Sequence, residues 1–473
     1  MKETIIPLFA FLTQVRKDPE KQSADERIRH FARIYSQYKQ SEAKNQSERC
    51  IDCGNPYCQW KCPVHNYIPQ WLKLVAEGKI MEAADLAHRT NTLPEVCGQV
   101  CPQEILCEGA CTLNGDPGAV TIGAIENYLT LTALNQGWKP DLSKVKKTGH
   151  RVAIIGAGPA GLACADRLIR NGITPTVYDK HPEIGGLLTF GIPQFKLEKN
   201  IMIRRRSLFE EMGIQFQLNS LIEHNSQMDE LITEYEAVFL GMGADKGIKA
   251  QIPGEDLSGV YPSLPFLINQ IHFMMGFKNK QPYDFSGKKI IVLGAGDTAM
   301  DCCRTSIRLG AESVTCVYRR PEHERRGVKK DYIHAVEEGV HFVWEHQAIA
   351  FHGTSQVKTV AFARTQSDNQ GNLTLDETSP LTLDADVVII AYGFVANPPL
   401  WLSNYHVDTH ETGLIKVNDL PYLPLQTSHK KIFAGGDMVL GANLVVNAIA
   451  QGHLAAESIV QFINEEANKT YRR

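Results

Sequence analysis

The chain has 473 residues, 43% of them hydrophobic and 22% charged, with a formal net charge of −4. That length exceeds a single core and implies about three domains, and the composition is that of an ordinary globular protein. The near-neutral balance offers no electrostatic basis for binding nucleic acid or an acidic membrane surface.

Residues 1–48 read as helical and polar, with a charged stretch over 17–33. A short apolar stretch at 5–12 is interrupted by Pro7, is too short to span a bilayer and is followed by no small-residue cleavage site. A cytoplasmic location is expected. Eight of the twelve cysteines then crowd into one segment, as Cys50-x2-Cys53-x4-Cys58-x3-Cys62-Pro63 and Cys97-x3-Cys101-Pro102-x4-Cys107-x3-Cys111. Crowding of this kind, without a secretion signal, favours metal over disulfides. Short loops that return sulfur to one small volume suit iron–sulfur clusters, with a pair of zinc sites as the alternative. Between the quartets, the apolar spacing of Ile68, Trp71, Leu72, Val75 and Ile80 predicts a helix over 68–88, and another is expected over 122–134. Residues 138–149, Lys-rich and bracketed by Pro140 and Gly149, read as a linker.

From residue 151 the grammar changes to strand, glycine turn, helix, strand. The first copy is a strand at 151–155, Gly156-Ala-Gly158-Pro159-Ala160-Gly161, a helix over 162–171, and a strand over 174–178 ending in Asp179. The second is a strand at 289–293, Gly294-Ala-Gly296-Asp297-Thr298-Ala299, a helix to 309, and a strand over 313–318 followed by Arg319 and Arg320. In such turns one Gly permits the sharp bend, one lets backbone approach a pyrophosphate, and the third lets helix pack on strand. The phosphates rest on the positive helix N-terminus. Asp179 suits a ribose hydroxyl, whereas two guanidiniums suit the 2′-phosphate of NADPH. The first site is therefore assigned to FAD and the second to NADPH. A hairpin is expected within 341–386, leading to a buried strand at 386–391. A third segment, a strand at 431–435 ending in Gly436 and Asp437 and a helix over 444–456 that includes Val445, supports flavin. Cys302 and Cys303 are adjacent and poorly placed for a redox disulfide, and with Cys164 read as packing residues.

The expected fold is α/β: an N-terminal α-helical iron–sulfur domain (1–145) followed by two Rossmann-like units. FAD takes 146–280 and 396–473, and NADPH takes 281–395. By the rule for ferredoxin runs, where the cysteine before Pro ligates the other cluster, Cys62 joins Cys101, Cys107 and Cys111 on the second cluster. The first then holds Cys50, Cys53 and Cys58, with Cys97 or a non-cysteine group as fourth ligand.

Longer strings carry a resemblance. Cys53-Gly-Asn-Pro-Tyr-Cys-Gln-Trp-Lys-Cys-Pro-Val-His65, Thr92-Leu-Pro-Glu-Val-Cys97, and the run from His181 to Pro193 that contains Gly186 and Leu187 are three of them. With Tyr318-Arg-Arg320 and Phe433-Ala-Gly-Gly-Asp437, they resemble the small (beta) subunit of bacterial NADPH-dependent glutamate synthase. The resemblance implies FAD, NADPH and two 4Fe-4S clusters, and a large (alpha) subunit that makes glutamate from 2-oxoglutarate and glutamine. It also implies kinship with dihydropyrimidine dehydrogenase, in which a glutamine completes the first cluster; Glu126 falls at that position here. The sequence departs from the pattern at Arg325-Arg326-Gly327, where Met-Pro-Gly is implied. No catalytic side chain is assigned. The alternative is the same NADPH–FAD–cluster module serving another acceptor, as in a bifurcating ferredoxin–NADP transhydrogenase or a stand-alone oxidoreductase.

Overall fold

Consecutive apolar residues make a strand that is buried on both faces, and such strands belong at the centre of a parallel sheet. In the computed structural model, which describes residues 9–368 and 371–471, both such runs occupy that position. Arg151–Ile155 is central in a five-stranded parallel sheet ordered Ile432–Ala434, Ala237–Leu240, Arg151–Ile155, Thr174–Tyr178, Gln215–Gln217. Lys289–Leu293 is central in a second, ordered Val260–Pro262, Val387–Ile390, Lys289–Leu293, Ser313–Tyr318, His341–Trp344. The second unit therefore begins before residue 260 and not at 281, because Val260 and Tyr261 pair in register with Val388 and Ile389. The chain crosses between the units twice, and the crossings pair with each other: Lys246–Gly247 runs antiparallel to Phe394–Val395. The hairpin expected within 341–386 is a three-stranded antiparallel sheet, His346–Gly353, Val357–Ser367 and Leu373–Asp384. Residues 369–370, between its last two strands, lie outside the described residues.

The N-terminal domain is helical, built on Gln40–Glu48, Ile68–Ala76, Ile80–Thr90, Pro94–Val100 and Ile122–Asn135 around buried Trp71, Leu72, Ile125 and Leu129. The single helix expected over 68–88 is two helices, broken where Gly78 takes φ +77°, a left-handed value an α-helix cannot continue through. Residues 9–39 are not the helix that was expected. They hold only the turn Ala10–Leu12 and the one-turn helix Ala24–Arg27, since Pro19 and the lack of an apolar stripe leave no helical face to bury. Of the apolar stretch at 5–12, residues 5–8 lie outside the described residues. Among the described residues, no helix is long and apolar enough to cross a membrane.

The helical domain packs on the first unit through a shared core of Val64, Leu93 and Val96 with Leu162, Leu168 and Met202. A buried ion pair between Glu95 and Arg205, 2.6 Å, crosses the same junction. Thr92 joins Asp166 (3.0 Å) and His453 (2.8 Å) there. The last helix, Val445–Tyr471, is twice the expected length and lies on Pro159–Arg170 so closely that a Cβ on Gly452 would meet the Ala160 carbonyl at 2.2 Å.

Candidate functional site

The first glycine turn is built as the sequence requires. Gly156 takes φ +107°, and a Cβ there would lie 2.4 Å from the Gly241 carbonyl; one on Gly161 would strike the Gly156 carbonyl. Gly158 caps the helix Pro159–Arg170, leaving its N-terminus uncovered by any side chain. Asp179 does more than was read from the sequence: Oδ2 accepts from the Ala157 amide at 2.7 Å and Oδ1 from the His181 amide at 2.8 Å. The carboxylate thus fixes the glycine turn. Around it converge Gly186, whose Cβ would meet Gly158 Cα at 3.2 Å, Leu187 beside it, and Gly436, whose Cβ would meet Ala160 at 2.9 Å. Gln451 accepts from the Gly436 amide at 2.7 Å, which ties the last helix to the strand end. Burial pushes the neighbouring Asp437 up to about 6. Sequence reasoning missed Lys199, whose ammonium donates to the carbonyls of Leu188 and Ile192 and is pushed down to about 7 by burial. It organises the segment that starts with Gly186 and Leu187.

The second turn repeats the first. Gly294 takes φ +121° against the Ala391 carbonyl, and Gly296 caps Asp297–Arg308 with open space beyond its Cα. Ala299 is fully buried in place of a third glycine. Asp297 accepts from the Val328 amide at 2.8 Å, and Gly327 donates its amide to the Ala295 carbonyl at 3.0 Å. Gly327, at the end of the Arg325-Arg326-Gly327 segment, therefore lies over this turn. The two arginines expected to act alike do not. Arg319 is exposed, whereas Arg320 is engaged by Glu324 at 2.7 Å and by the Gly371 carbonyl at 2.9 Å.

The eight cysteines ring two small cavities, four to each. Cys50, Cys53, Cys58 and Cys111 line the first, with Pro69, Leu72, Val120 and Ile122. Cys62, Cys97, Cys101 and Cys107 line the second, with Asn66, Asn91, Gln103, Glu126 and Val446. This corrects the expected sharing: Cys111 stands with the first three cysteines, and both candidates for the unassigned ligand, Cys97 and Glu126, stand at the second cavity. Spacing along the chain does not register that residue 111 is returned over the 50–58 loop. All eight thiols are free. Burial pushes Cys50 and Cys58 up to about 12 and Cys62 to about 11, so they are thiols until a metal displaces the proton. Among the described residues no three His, Cys, Asp or Glu are gathered for one ion. Four sulfurs spread around a cavity fit a multi-atom group better than a zinc ion. Glu126 accepts from Asn66 (2.9 Å) and Asn91 (3.2 Å) on one oxygen, and burial raises it to about 8.

Comparison with known proteins agrees with this construction. Residues 27–138 match the family of dihydropyrimidine dehydrogenase domain II, 4Fe-4S cluster, and residues 150–452 match the pyridine nucleotide-disulphide oxidoreductases. The glutamate synthase [NADPH] small chain of Halomonas elongata is 51% identical over 464 residues, covering 96% of this chain and 98% of that one. The putative oxidoreductase AegA of Escherichia coli is 47% identical over 470 residues, covering 97% of this chain and 71% of that one. Among solved structures, Mycobacterium tuberculosis FprA in complex with NADPH superposes with a TM-score of 0.56 at 17% identity, over 68% of this chain and 86% of that chain. It shares the fold of the two dinucleotide units.

Proposed function

This chain belongs to the family of NADPH-dependent glutamate synthase small chains, a family of oxidoreductases, and on that premise we propose that it oxidises NADPH at FAD. Its electrons pass through two 4Fe-4S clusters to a glutamine-dependent large subunit that makes glutamate from 2-oxoglutarate and glutamine. The observation that carries the reading is one junction: Val446, in the first turn of the helix that starts at Val445 beside Asp437, lines the second cysteine cavity. A flavin-binding helix end and a cysteine cavity thus share a wall.

In this reading FAD is held by Gly156, Gly158, Pro159, Ala160, Gly161, Asp179, Gly186, Leu187, Gly436, Asp437 and Val445. NADPH is held by Gly294, Gly296, Asp297, Thr298 and Ala299, with Arg319 meeting the 2′-phosphate and Arg320 serving to hold its loop. Cys50, Cys53, Cys58 and Cys111 hold one cluster; Cys62, Cys101 and Cys107 hold the other, with Cys97 or Glu126. Flavin accepts a hydride as an electron pair and clusters carry electrons singly. The chain's own contribution is positional and electrostatic. Two helix N-termini present unpaired amides to the pyrophosphates, Asp179 fixes the first turn, and burial raises Asp437 to about 6, so that it is a carboxylate at neutral pH that takes up a proton more readily than a free one. We further propose a cluster domain to about residue 145, an FAD unit in two parts, an inserted NADPH unit between the crossing strands at 246–247 and 394–395, and a cytoplasmic site of action.

A second reading keeps the module and changes the acceptor. It is favoured by AegA and by UacF, also of Escherichia coli, which are named putative oxidoreductases and which the match covers over only 71% and 73% of their lengths. Anaerobic affinity purification from the native host, with mass spectrometry of co-eluting chains, separates the two. A large amidotransferase-containing chain supports glutamate synthase, and a small flavin or ferredoxin partner supports the second reading.

A further inference from the structure

Residues 18–38 contain almost no regular structure, yet they carry two of the most deeply buried side chains in the N-terminal region, Arg27 at 1% exposure and Ile34 at 2%. Arg27 reaches out of its own domain. Its guanidinium donates to Glu338 at 2.8 Å, to Glu337 at 2.6 Å and to the His334 carbonyl at 3.2 Å, all in the second dinucleotide unit. Lys21 reaches Glu337 at 2.7 Å, and the Tyr35 hydroxyl meets His334 Nε2, also at 2.7 Å. Arg308 donates to the His30 carbonyl at 3.0 Å, and Phe31 packs on the core of that unit. The segment is also fastened to the helical domain, through Arg33 to Asn127 (3.0 Å) and Tyr38 to Thr121 (3.1 Å).

The first unit sends two residues to the same place. The ring of Phe195 lies under the guanidiniums of Arg304 and Arg308, at 4.4 and 4.1 Å. Lys196 is paired with Asp301 at 2.9 Å and Asp331 at 2.7 Å. Asp301 lies on the helix Asp297–Arg308, whose N-terminus is the second glycine turn. Glu338 closes the group, accepting from Arg27, Arg304 and Arg308. The pairs made by Glu338 with Arg27, Arg304 and Arg308 are buried, so they are not screened as a surface pair is. By contrast, the covalent connection between the two units is the two short crossing strands, a hinge by construction.

We propose that residues 18–38 are a strap, and that Arg27 and Lys196 are positioning residues that hold the NADPH unit in one orientation over the flavin unit. The proposal rests on the NADPH–FAD reading above and adds what fixes the distance between the two nucleotides. Hydride transfer demands reacting atoms within about 3–3.5 Å, and a 1 Å misplacement costs on the order of 10²-fold in rate. Arg27 has no contact with either nucleotide site, and Lys196 meets the second only through the field it exerts on Asp297, so loosening Arg27 alters orientation and leaves nucleotide binding in place.

The test uses the full-length, flavin-loaded chain and the variants Arg27→Met, Lys196→Met and Lys196→Arg, with the milder Lys21→Ala/Tyr35→Phe pair should Arg27→Met fail to fold. Anaerobic stopped flow reads the limiting rate of flavin reduction and the NADPH concentration at half-saturation. The expected result is a limiting rate down on the order of 10- to 10²-fold in Lys196→Met and Arg27→Met, half-saturation moved less than about threefold, and recovery in Lys196→Arg. Hydrogen exchange reads the hinge without reference to catalysis, and protection at 246–247 and 394–395 is expected to fall in the strap variants. Unchanged hinge protection in a variant whose strap exchanges freely overturns the proposal, as does a wild-type limiting rate in that variant. Failure of NADPH to bleach the wild-type flavin instead sinks the functional reading, while the exchange measurement still decides the strap.

Discussion

The cavity ringed by Cys50, Cys53, Cys58 and Cys111 is walled by Pro69, Leu72, Leu113, Val120 and Ile122, and Tyr57 on its rim is half exposed. The cavity ringed by Cys62, Cys97, Cys101 and Cys107 is walled by Asn66, Asn91, Gln103 and Glu126, and touches the last helix at Val446. Four sulfurs thus sit in an apolar shell near the surface, and four in a shell where polar side chains join Ile68, Leu106 and Ile122. Hydrogen bonds, net charge and solvent exposure are the levers a protein uses to set a cluster's potential. In the proposed two-cluster reading, the difference between the shells makes the two groups electronically unlike.

The sharpest way to break this comparison is the double variant Cys62→Ser/Cys111→Ser. If the two residues serve different cavities, each cavity loses a ligand and bound iron falls to near zero. If they share one, as the ferredoxin rule implied, half the iron remains; inductively coupled plasma analysis reads the difference. Next in size, Cys111→Ser alone should remove about half the iron while flavin reduction by NADPH stays within about twofold of wild type. Glu126→Ala should change the electron paramagnetic resonance spectrum of the second group alone. It should also lower stability by about 1–3 kcal/mol, because the amides of Asn66 and Asn91 lose their acceptor. Changing the input should leave the contrast intact. Arg319→Ala raises KM for NADPH about 10- to 100-fold with little effect on NADH, consistent with loss of a charge-assisted bond of about 1.5–3 kcal/mol, and Arg320→Ala does less. The last is an acid control away from both cavities, with no effect on iron content. Glu338, held down to about 2 by its arginines, contributes stability that is complete above its ordinary value of 4.5 and is lost as pH falls toward 2. Melting curves of Glu338→Gln should lack that part of the acid dependence.

What was legible in the sequence follows from how local the signal is. The strands Arg151–Ile155, Thr174–Tyr178, Lys289–Leu293 and Ser313–Tyr318 match their expected bounds, and the two central runs, 152–155 and 290–293, were the plainest because residues buried on both faces are apolar at every position. Gly156, Gly161 and Gly294 were legible because each close approach leaves room for no other residue. The partition of the cysteines was not, since spacing reports which sulfurs are near along the chain and not which loop folds back over which. The strap was hidden for the same reason: Arg27 and Glu338 are 311 residues apart, and polar residues without periodicity give no sign that they are to be buried. The early start of the second unit was masked because its first strand, Val260–Pro262, has three residues and ends in proline. Arg319 and Arg320 look identical until Glu324 and the Gly371 carbonyl claim one of them.

The most direct test of the whole account is an anaerobic titration of the purified full chain, first with NADPH and then with dithionite, followed by visible absorbance and electron paramagnetic resonance. The account predicts that NADPH bleaches the flavin, and that full reduction develops two distinct cluster signals, of which Cys111→Ser retains only the one from the cavity beside Glu126. Flavin colour that persists under excess NADPH, or a single cluster signal in the wild type, would contradict it.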